Sequence, residues 1–233
     1  MDAALIEARG LYKTFGTGPI LRGVNLAVSA GFAAMVIGRN GAGKSTLVRI
    51  LAGLSAPSAG EALLFGKPSR TLEPPARRRV SIVTHQSFLY PNLSARENLE
   101  FYASLYGVAD ARGEISRWLE RVGLAAAADA RVRTFSRGME QRLTLARALL
   151  TRPDVLLMDE PFAALDMEGV ALVAALLREA IAHGCAVVLT AHQGIAIEGL
   201  RCELYEIVRG RMVTIHGVAG GAGIESAHAH PAG

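Results

Sequence analysis

The sequence predicts an α/β domain built around a parallel sheet. Three features carry that expectation: a glycine-rich loop between an apolar run and a helical pattern near residue 40, two short apolar runs flanking a helix in the second half, and a stretch of helical periodicity between these regions. From Leu5 to about Glu61 the pattern is one of short strands and turns. The apolar segments Leu26–Val28 and Met35–Ile37 are separated by a turn at Gly31, and the chain turns helical over Ser45–Leu51. From about Pro91 to Arg133 the character changes. Leu99, Tyr102 and Leu105, then Ile115, Leu119 and Val122, recur at helical spacing, which predicts a helical insertion.

Val155–Met158 and Ala186–Thr190 are continuous apolar runs, the mark of strands covered on both faces of a parallel sheet. An alanine-rich helix over Val170–Ala182 lies between them, so a βαβ crossover follows. Beyond about Val213 the chain becomes Gly, Ala and His, too poor in large apolar residues to offset the entropy of ordering, and residues 216–233 are expected to be a flexible tail. His228 and His230 could touch a metal there, but a disordered tail is the simpler reading. No internal repeat is evident.

Composition narrows the class. With 233 residues, 51% hydrophobic and 20% charged, the chain can bury a sizeable core without disulfides. No apolar run reaches the roughly 18–20 residues a membrane helix needs, and the start lacks a signal-peptide layout, so a soluble cytoplasmic chain is expected. Cys185 and Cys202 have no metal-ligand spacing and read as reduced thiols. The net charge of +4 is small. Its one basic run, Arg77-Arg78-Arg79, reads as a solvated loop or helix end, with anionic lipid as good a partner as nucleic acid.

The residues that carry chemistry begin with Gly38-Arg39-Asn40-Gly41-Ala42-Gly43-Lys44-Ser45-Thr46, which satisfies G-x-x-x-x-G-K-[ST] between a strand and a helix. Glycines let backbone N–H groups and the helix N-terminus face a phosphate chain. Lys44 reaches the β- and γ-phosphates, and the Ser45 hydroxyl binds Mg²⁺. The fold class sharpens to a P-loop NTPase holding Mg²⁺ and a nucleotide, which the resemblance given below makes ATP. Val155–Met158 runs into two acids: Asp159 can hold Mg²⁺, often through water, and Glu160 can orient or deprotonate the attacking water.

Six elements in order now resemble the nucleotide-binding subunits of ABC transporters: the phosphate loop, Gln86, Phe135-Ser136-Arg137-Gly138-Met139-Glu140-Gln141-Arg142, Asp159-Glu160-Pro161, Ala164-Leu165-Asp166, and His192. The resemblance covers the chain to about Val213. It implies a domain over residues 1–215, with an N-terminal antiparallel β subdomain and a helical, signature-bearing subdomain inserted at about 91–140. Phe15 would stack on adenine. Gln86 would sense Mg²⁺ and the γ-phosphate and link the site to a membrane partner. Ser136 and Gly138 would contact ATP held by the opposite subunit, Asp166 would lie at the dimer seam, and His192 would contact the γ-phosphate. Each site is then completed only by a homodimer or pseudo-dimer, so that sandwiched ATP closes the pair and hydrolysis opens it.

Two departures stand out. The family's usual Leu-Ser-Gly-Gly-Gln is Phe-Ser-Arg-Gly-Met here, with Arg137 facing either phosphate or solvent, and Arg39 replaces a common proline. The segment from Val83 to Gly107, with His85 before Gln86 and Leu89-Tyr90 after it, looks like the ATPase of the haem exporter used in cytochrome c maturation. The Ser-Arg-Gly-Met pattern also occurs in exporters of drugs and polysaccharides. The resemblance implies a subunit on the cytoplasmic face of the membrane, docked through residues near 86–106 onto integral membrane permease subunits. Neither nucleic acid nor direct contact with cargo is expected. A soluble ATPase that remodels ribosomes or DNA fits a single 233-residue chain poorly, and a non-catalytic regulator is expected to lack Glu160.

Overall fold

The computed structural model describes residues 3–16, 18–163, 165–194 and 200–215. Two 12-residue strands, β1 (Ala4–Phe15) and β2 (Gly18–Ser29), pair antiparallel. Alternation places Ile6, Ala8 and Leu11 with Leu21, Val24, Leu26 and Val28 in one buried layer. β4 (Ala59–Leu64) and β5 (Lys67–Pro68) complete a four-stranded antiparallel sheet in the order β2-β1-β4-β5. The sequence pattern picks out only Leu26–Val28 of β2, because register shifts along the β1–β2 pair break strict alternation before it.

The second sheet has six strands in the order β10-β9-β3-β8-β7-β6. They are β3 (Ala33–Ile37), β6 (Val80–Val83), β7 (Val155–Met158), β8 (Ala186–Ala191), β9 (Cys202–Val208) and β10 (Arg211–Ile215). All neighbours are parallel except the edge hairpin β9–β10. β7 and β8 are adjacent and joined through α6 (Met167–Ala182), the crossover that the two apolar runs imply. Their residues alternate between two cores. Leu156, Met158, Val187 and Leu189 face one cluster, while Val155, Leu157, Ala186 and Val188 face the other.

The second cluster is closed by the four-stranded sheet and by Leu47, Val48 and Ile50 of α1 (Lys44–Leu51). A four-residue helix, α2 (Pro74–Arg77), leads into β6. The first cluster is closed by α3 (Ala95–Tyr106), α4 (Ala111–Arg121), α5 (Arg137–Leu149) and α6. α3 starts at Ala95, where Ser94 and Glu97 form a reciprocal capping box. Leu99 and Tyr102 are buried as the periodicity predicts, but Leu105 is 54% exposed. Steps of three residues fall short of the 3.6-residue turn, and by Leu105 the row has rotated off the face. The expected insertion limit at residue 140 falls inside α5, which runs on unbroken to Leu149 and packs against β6.

Both cysteines lie in the core. Burial pushes the Cys185 thiol up to about 12 and the Cys202 thiol to about 11, so both stay protonated and inert at neutral pH. Among the described residues no helix is long and apolar enough to cross a membrane. The expected tail at 216–233, with His228 and His230, lies outside the described residues.

Leu157 is fully buried between two layers, so Leu157→Ala is expected to lower unfolding free energy by about 2–5 kcal/mol in urea titration. Val213→Ala on the exposed edge strand is expected to stay within about 0.5 kcal/mol. Equal effects at the two positions would contradict the two-sided burial of β7.

Candidate functional site

The carboxyl ends of the parallel strands converge on one place. β3 starts near the middle of its sheet with β8 on one side and β9 on the other, a switch in winding direction of the kind that opens a crevice in α/β sheets. Residues 38–43 leave β3 there and enter α1. Gly43 is the N-cap of α1 with φ 107°, and a Cβ on it would stand 2.7 Å from Leu21 Cδ2. Gly38 has φ 152°, and a Cβ there would meet Ile207 O at 2.9 Å. Conformation and space thus both demand glycine at the two ends of the loop. Arg39, Asn40, Gly41 and Ser45 are exposed, with Ala42 and Thr46 half-buried, so the outer rim of the loop is open to a ligand.

Lys44 is 4% exposed. Its Nζ donates to Gly38 O at 2.8 Å and Arg39 O at 3.4 Å, and lies 3.4 Å from Glu160 Oε1. The other carboxylate oxygen, Glu160 Oε2, is 3.1 Å from His192 Nε2. Loop 38–46, the end of β7 and the first residue past β8 are therefore joined through one carboxylate. Glu160 sits at φ 53°, a left-handed backbone that costs a non-glycine residue energy and turns its side chain off the strand direction.

Thr190 holds this turn in place. It is fully buried, its hydroxyl donates to Asp159 Oδ1 at 2.7 Å, and it accepts from Glu160 N at 3.0 Å. Asp159 N in turn donates to Val83 O at 2.8 Å, tying the acids to β6. Sequence reading passed over Thr190 as a site residue. The usable signal was that it is the one polar residue in the buried run Ala186–Ala191, where a hydroxyl needs partners. Gln141 was missed in the same way: its Nε2 donates to Pro161 O at 3.2 Å, bracing the turn after the acids against α5.

The other expected residues make no bond to this group among the described residues. Phe15, 47% exposed, ends β1 with Lys13 Nζ 4.8 Å from its ring centre. Gln86 is exposed three residues past β6, in a turn where Thr84 Oγ1 accepts from Gln86 N at 3.1 Å. Ser136 is the N-cap of α5 and accepts from Met139 N at 3.2 Å, with Gly138 in the first turn. Asp166 caps α6 through Gly169 N at 2.8 Å. Ala164 lies outside the described residues. A cavity of about 390 Å³ is lined in part by His85, Arg137, Glu140, Asp159 and Glu160, and Arg137 on its rim is itself exposed to solvent.

The donor set is one of hard oxygens. Ser45 offers a free hydroxyl and Asp159 a second carboxylate oxygen, while among the described residues no three His, Cys, Asp or Glu side chains gather as a metal cage. Such a set suits Mg²⁺, which keeps waters and takes its other ligands from phosphate.

Comparison with known proteins agrees with this geometry. The family model described as "ABC transporter" matches residues 21–163. The chain is 39% identical over 215 residues to the Nod factor export ATP-binding protein I of Paraburkholderia xenovorans, covering 91% of this chain and 71% of that one. It is 36% identical to the protein of the same name in Cupriavidus metallidurans, covering 90% and 70%. Among solved structures, an ATP-binding cassette in a dimeric post-hydrolysis state bound to ADP and Pi superposes with TM-score 0.80 at 25% identity, covering 91% and 99%. The cbiO1 protein of Clostridium perfringens, described as part of an ABC transporter complex, superposes with TM-score 0.77 at 26% identity, covering 94% and 90%. With the loop, the paired acids and the strand-end histidine gathered at the sheet's carboxyl edge, the chain belongs to the ABC transporter family, among its ATP-binding, ATP-hydrolysing subunits.

Proposed function

We propose that the chain is the energy-coupling ATPase of an ABC exporter, acting as one of a pair of ATP-binding subunits on membrane permease subunits at the cytoplasmic face. The observation that carries this reading is the Glu160 carboxylate bridging Lys44 and His192. The Lys44 ammonium, shared in the structure by two loop carbonyls and Glu160, is the charge that the β- and γ-phosphates take over. Once Lys44 turns to phosphate, Glu160 is released to accept a proton from the attacking water, and His192 faces the departing γ-phosphate. Ser45 and Asp159 would hold Mg²⁺, which neutralises charge building on the phosphates when bound. Phe15 supplies an adenine platform at the end of β1.

Ser136, Gly138 and the exposed N-terminus of α5 serve the nucleotide of the opposite copy, because a helix N-terminus with spare N–H groups stabilises phosphate. Asp166 lies at the same seam, and a second copy is supported by the dimeric solved relative. Gln86 links the site to the permease, whose docking face includes the exposed Phe88, Tyr90 and Phe101.

Relatives named for Nod factor export favour an exporter whose cargo is not haem, as a drug, lipid or polysaccharide exporter would be. Haem export keeps in its support the pattern from residue 83 to 107 and the Thr190-Ala191-His192 segment.

Glu160→Gln is expected to retain ATP affinity while kcat falls about 10²–10⁴-fold, with an ATP-dependent dimer accumulating in gel filtration. Wild-type turnover in that variant would remove Glu160 from the mechanism. Thr190→Val leaves Asp159 Oδ1 and Glu160 N without their shared partner, and is expected to cost about 1–3 kcal/mol of stability together with a fall in kcat. Unchanged kcat would show that the acids hold position unaided. Copurification with the membrane subunits decides the cargo: a Soret band in the complex would restore haem export, and a different bound molecule would support the reading favoured above.

A further inference from the structure

Arg147 is a buried cation to which the ATPase mechanism gives no task. It lies on α5 at 8% exposure, and among the described residues no carboxylate pairs with it. Its NH2 group donates to Ile82 O on β6 at 2.8 Å, while its buried Nε has no hydrogen-bond partner. The guanidinium is otherwise satisfied by ring faces, 5.2 Å from the centre of Tyr102 and 5.7 Å from that of Phe88. Burial lowers the Arg147 pKa from its ordinary value, partly offset by Tyr102 and Tyr106. A buried, half-satisfied cation is costly, and an apolar residue of similar size would serve packing alone better.

The three elements that meet at this guanidinium are those that a transporter ATPase has to move together. α5 begins at Ser136, on the face offered to a second nucleotide. β6 leads within three residues to Gln86. The segment carrying Phe88 and Tyr90 is clamped to α3: the Tyr102 hydroxyl donates to Phe88 O, Tyr90 N donates to Asn98 Oδ1 at 2.7 Å, and Asn98 Nδ2 donates to Tyr90 O at 3.1 Å. Phe88 itself holds φ 55°, a left-handed backbone. Outward from Arg147 the ring contacts continue through Tyr102 to Phe101 and Tyr90, which are 41% and 46% exposed.

We infer that Arg147 is a positioning residue that locks the Gln86 segment and the exposed aromatic face of α3 to the signature end of α5, so that these parts shift as one unit. The inference rests on the reading of Gln86 and Ser136 as parts of the ATP cycle. A planar guanidinium can bond a carbonyl edge-on while covering two rings, which a lysine ammonium cannot. Displacing either ring segment from α5 strips ring contacts from a cation that is only 8% exposed in this packing.

The test uses the full chain with Mg-ATP and the variants Arg147→Lys, Arg147→Leu and Tyr102→Phe. Nucleotide Kd, kcat, Tm and ATP-induced slowing of amide exchange at residues 84–90 and 136–140 are measured for each. Arg147→Lys and Arg147→Leu are expected to keep Kd within about twofold, because loop 38–46 is untouched, while kcat falls about tenfold or more. ATP is expected to slow exchange in both segments of the wild type but not in the 84–90 segment of the Arg147 variants. Tyr102→Phe keeps the ring face and is expected to lose less. A merely structural role predicts that activity follows the folded fraction and that Lys restores it. Retained kcat in a folded Arg147→Leu, or Kd and kcat falling together, overturns the inference. If Arg147→Leu does not fold, the Lys variant alone decides by the same split. A wild-type chain that binds Mg-ATP and never cleaves it would sink the ATPase reading itself and this inference with it.

Discussion

A lysine ammonium withdrawn from water has to find oxygen, and the arrangement of the site follows from where Lys44 finds it. Nζ is enclosed by the carbonyls of Gly38 and Arg39 and faced by Glu160. For the loop to wrap the charge, its ends must adopt backbone angles and approaches that only glycine allows, at Gly38 and Gly43. For Glu160 to face it, the chain after β7 must turn through a left-handed residue, and Thr190 secures that turn from the neighbouring strand. The result is a cation already stripped of water and partnered by weak, replaceable contacts. A triphosphate offers it a stronger partner without a new desolvation cost.

The rest of the fold keeps that cluster rigid. β7 and β8 are buried on both faces, which is why the chain carries two cores, one under the four-stranded sheet and α1 and one under α3 to α6. Asp159, Glu160 and His192 stand at the ends of strands with no freedom to slide, since a slip of one residue would exchange the two faces. Motion has to enter from elsewhere. The helices on the first core carry the exposed aromatics and the start of α5, and Arg147 is their shared buried contact. A sheet buried on both faces and a helical layer packed against it suit the division of labour proposed above for a transport ATPase.

Much of this was legible in the amino-acid order. The loop motif, the apolar run ahead of two acids and the crossover through α6 rest on local signals of spacing, periodicity and residue type, and β7 falls at the predicted residues. The departures share a cause. Leu105 reads as core in a row of threes but rotates into solvent, and β2 extends far beyond the apolar segment that announced it because register shifts and Gly23 hide its alternation. Cargo was the least legible feature, since no motif read in the sequence names one. The relatives are named for Nod factor export, and haem export is not shown by them.

What the sequence by itself determined is the set of chemical groups: a phosphate loop, a lysine and two acids at a strand end, announced by neighbours within a few residues, and a histidine at another strand end that only the family resemblance singles out. What only the tertiary structure decided is which of them meet. Glu160 lies 116 positions from Lys44 and 32 from His192, yet one carboxylate touches both. The roles of Thr190 and Arg147 exist only through partners on other strands and helices. Local signals name residues because propensity and pattern act over short stretches of chain. Contacts across the sheet depend on strand order, and strand order is set by how two cores are buried at once.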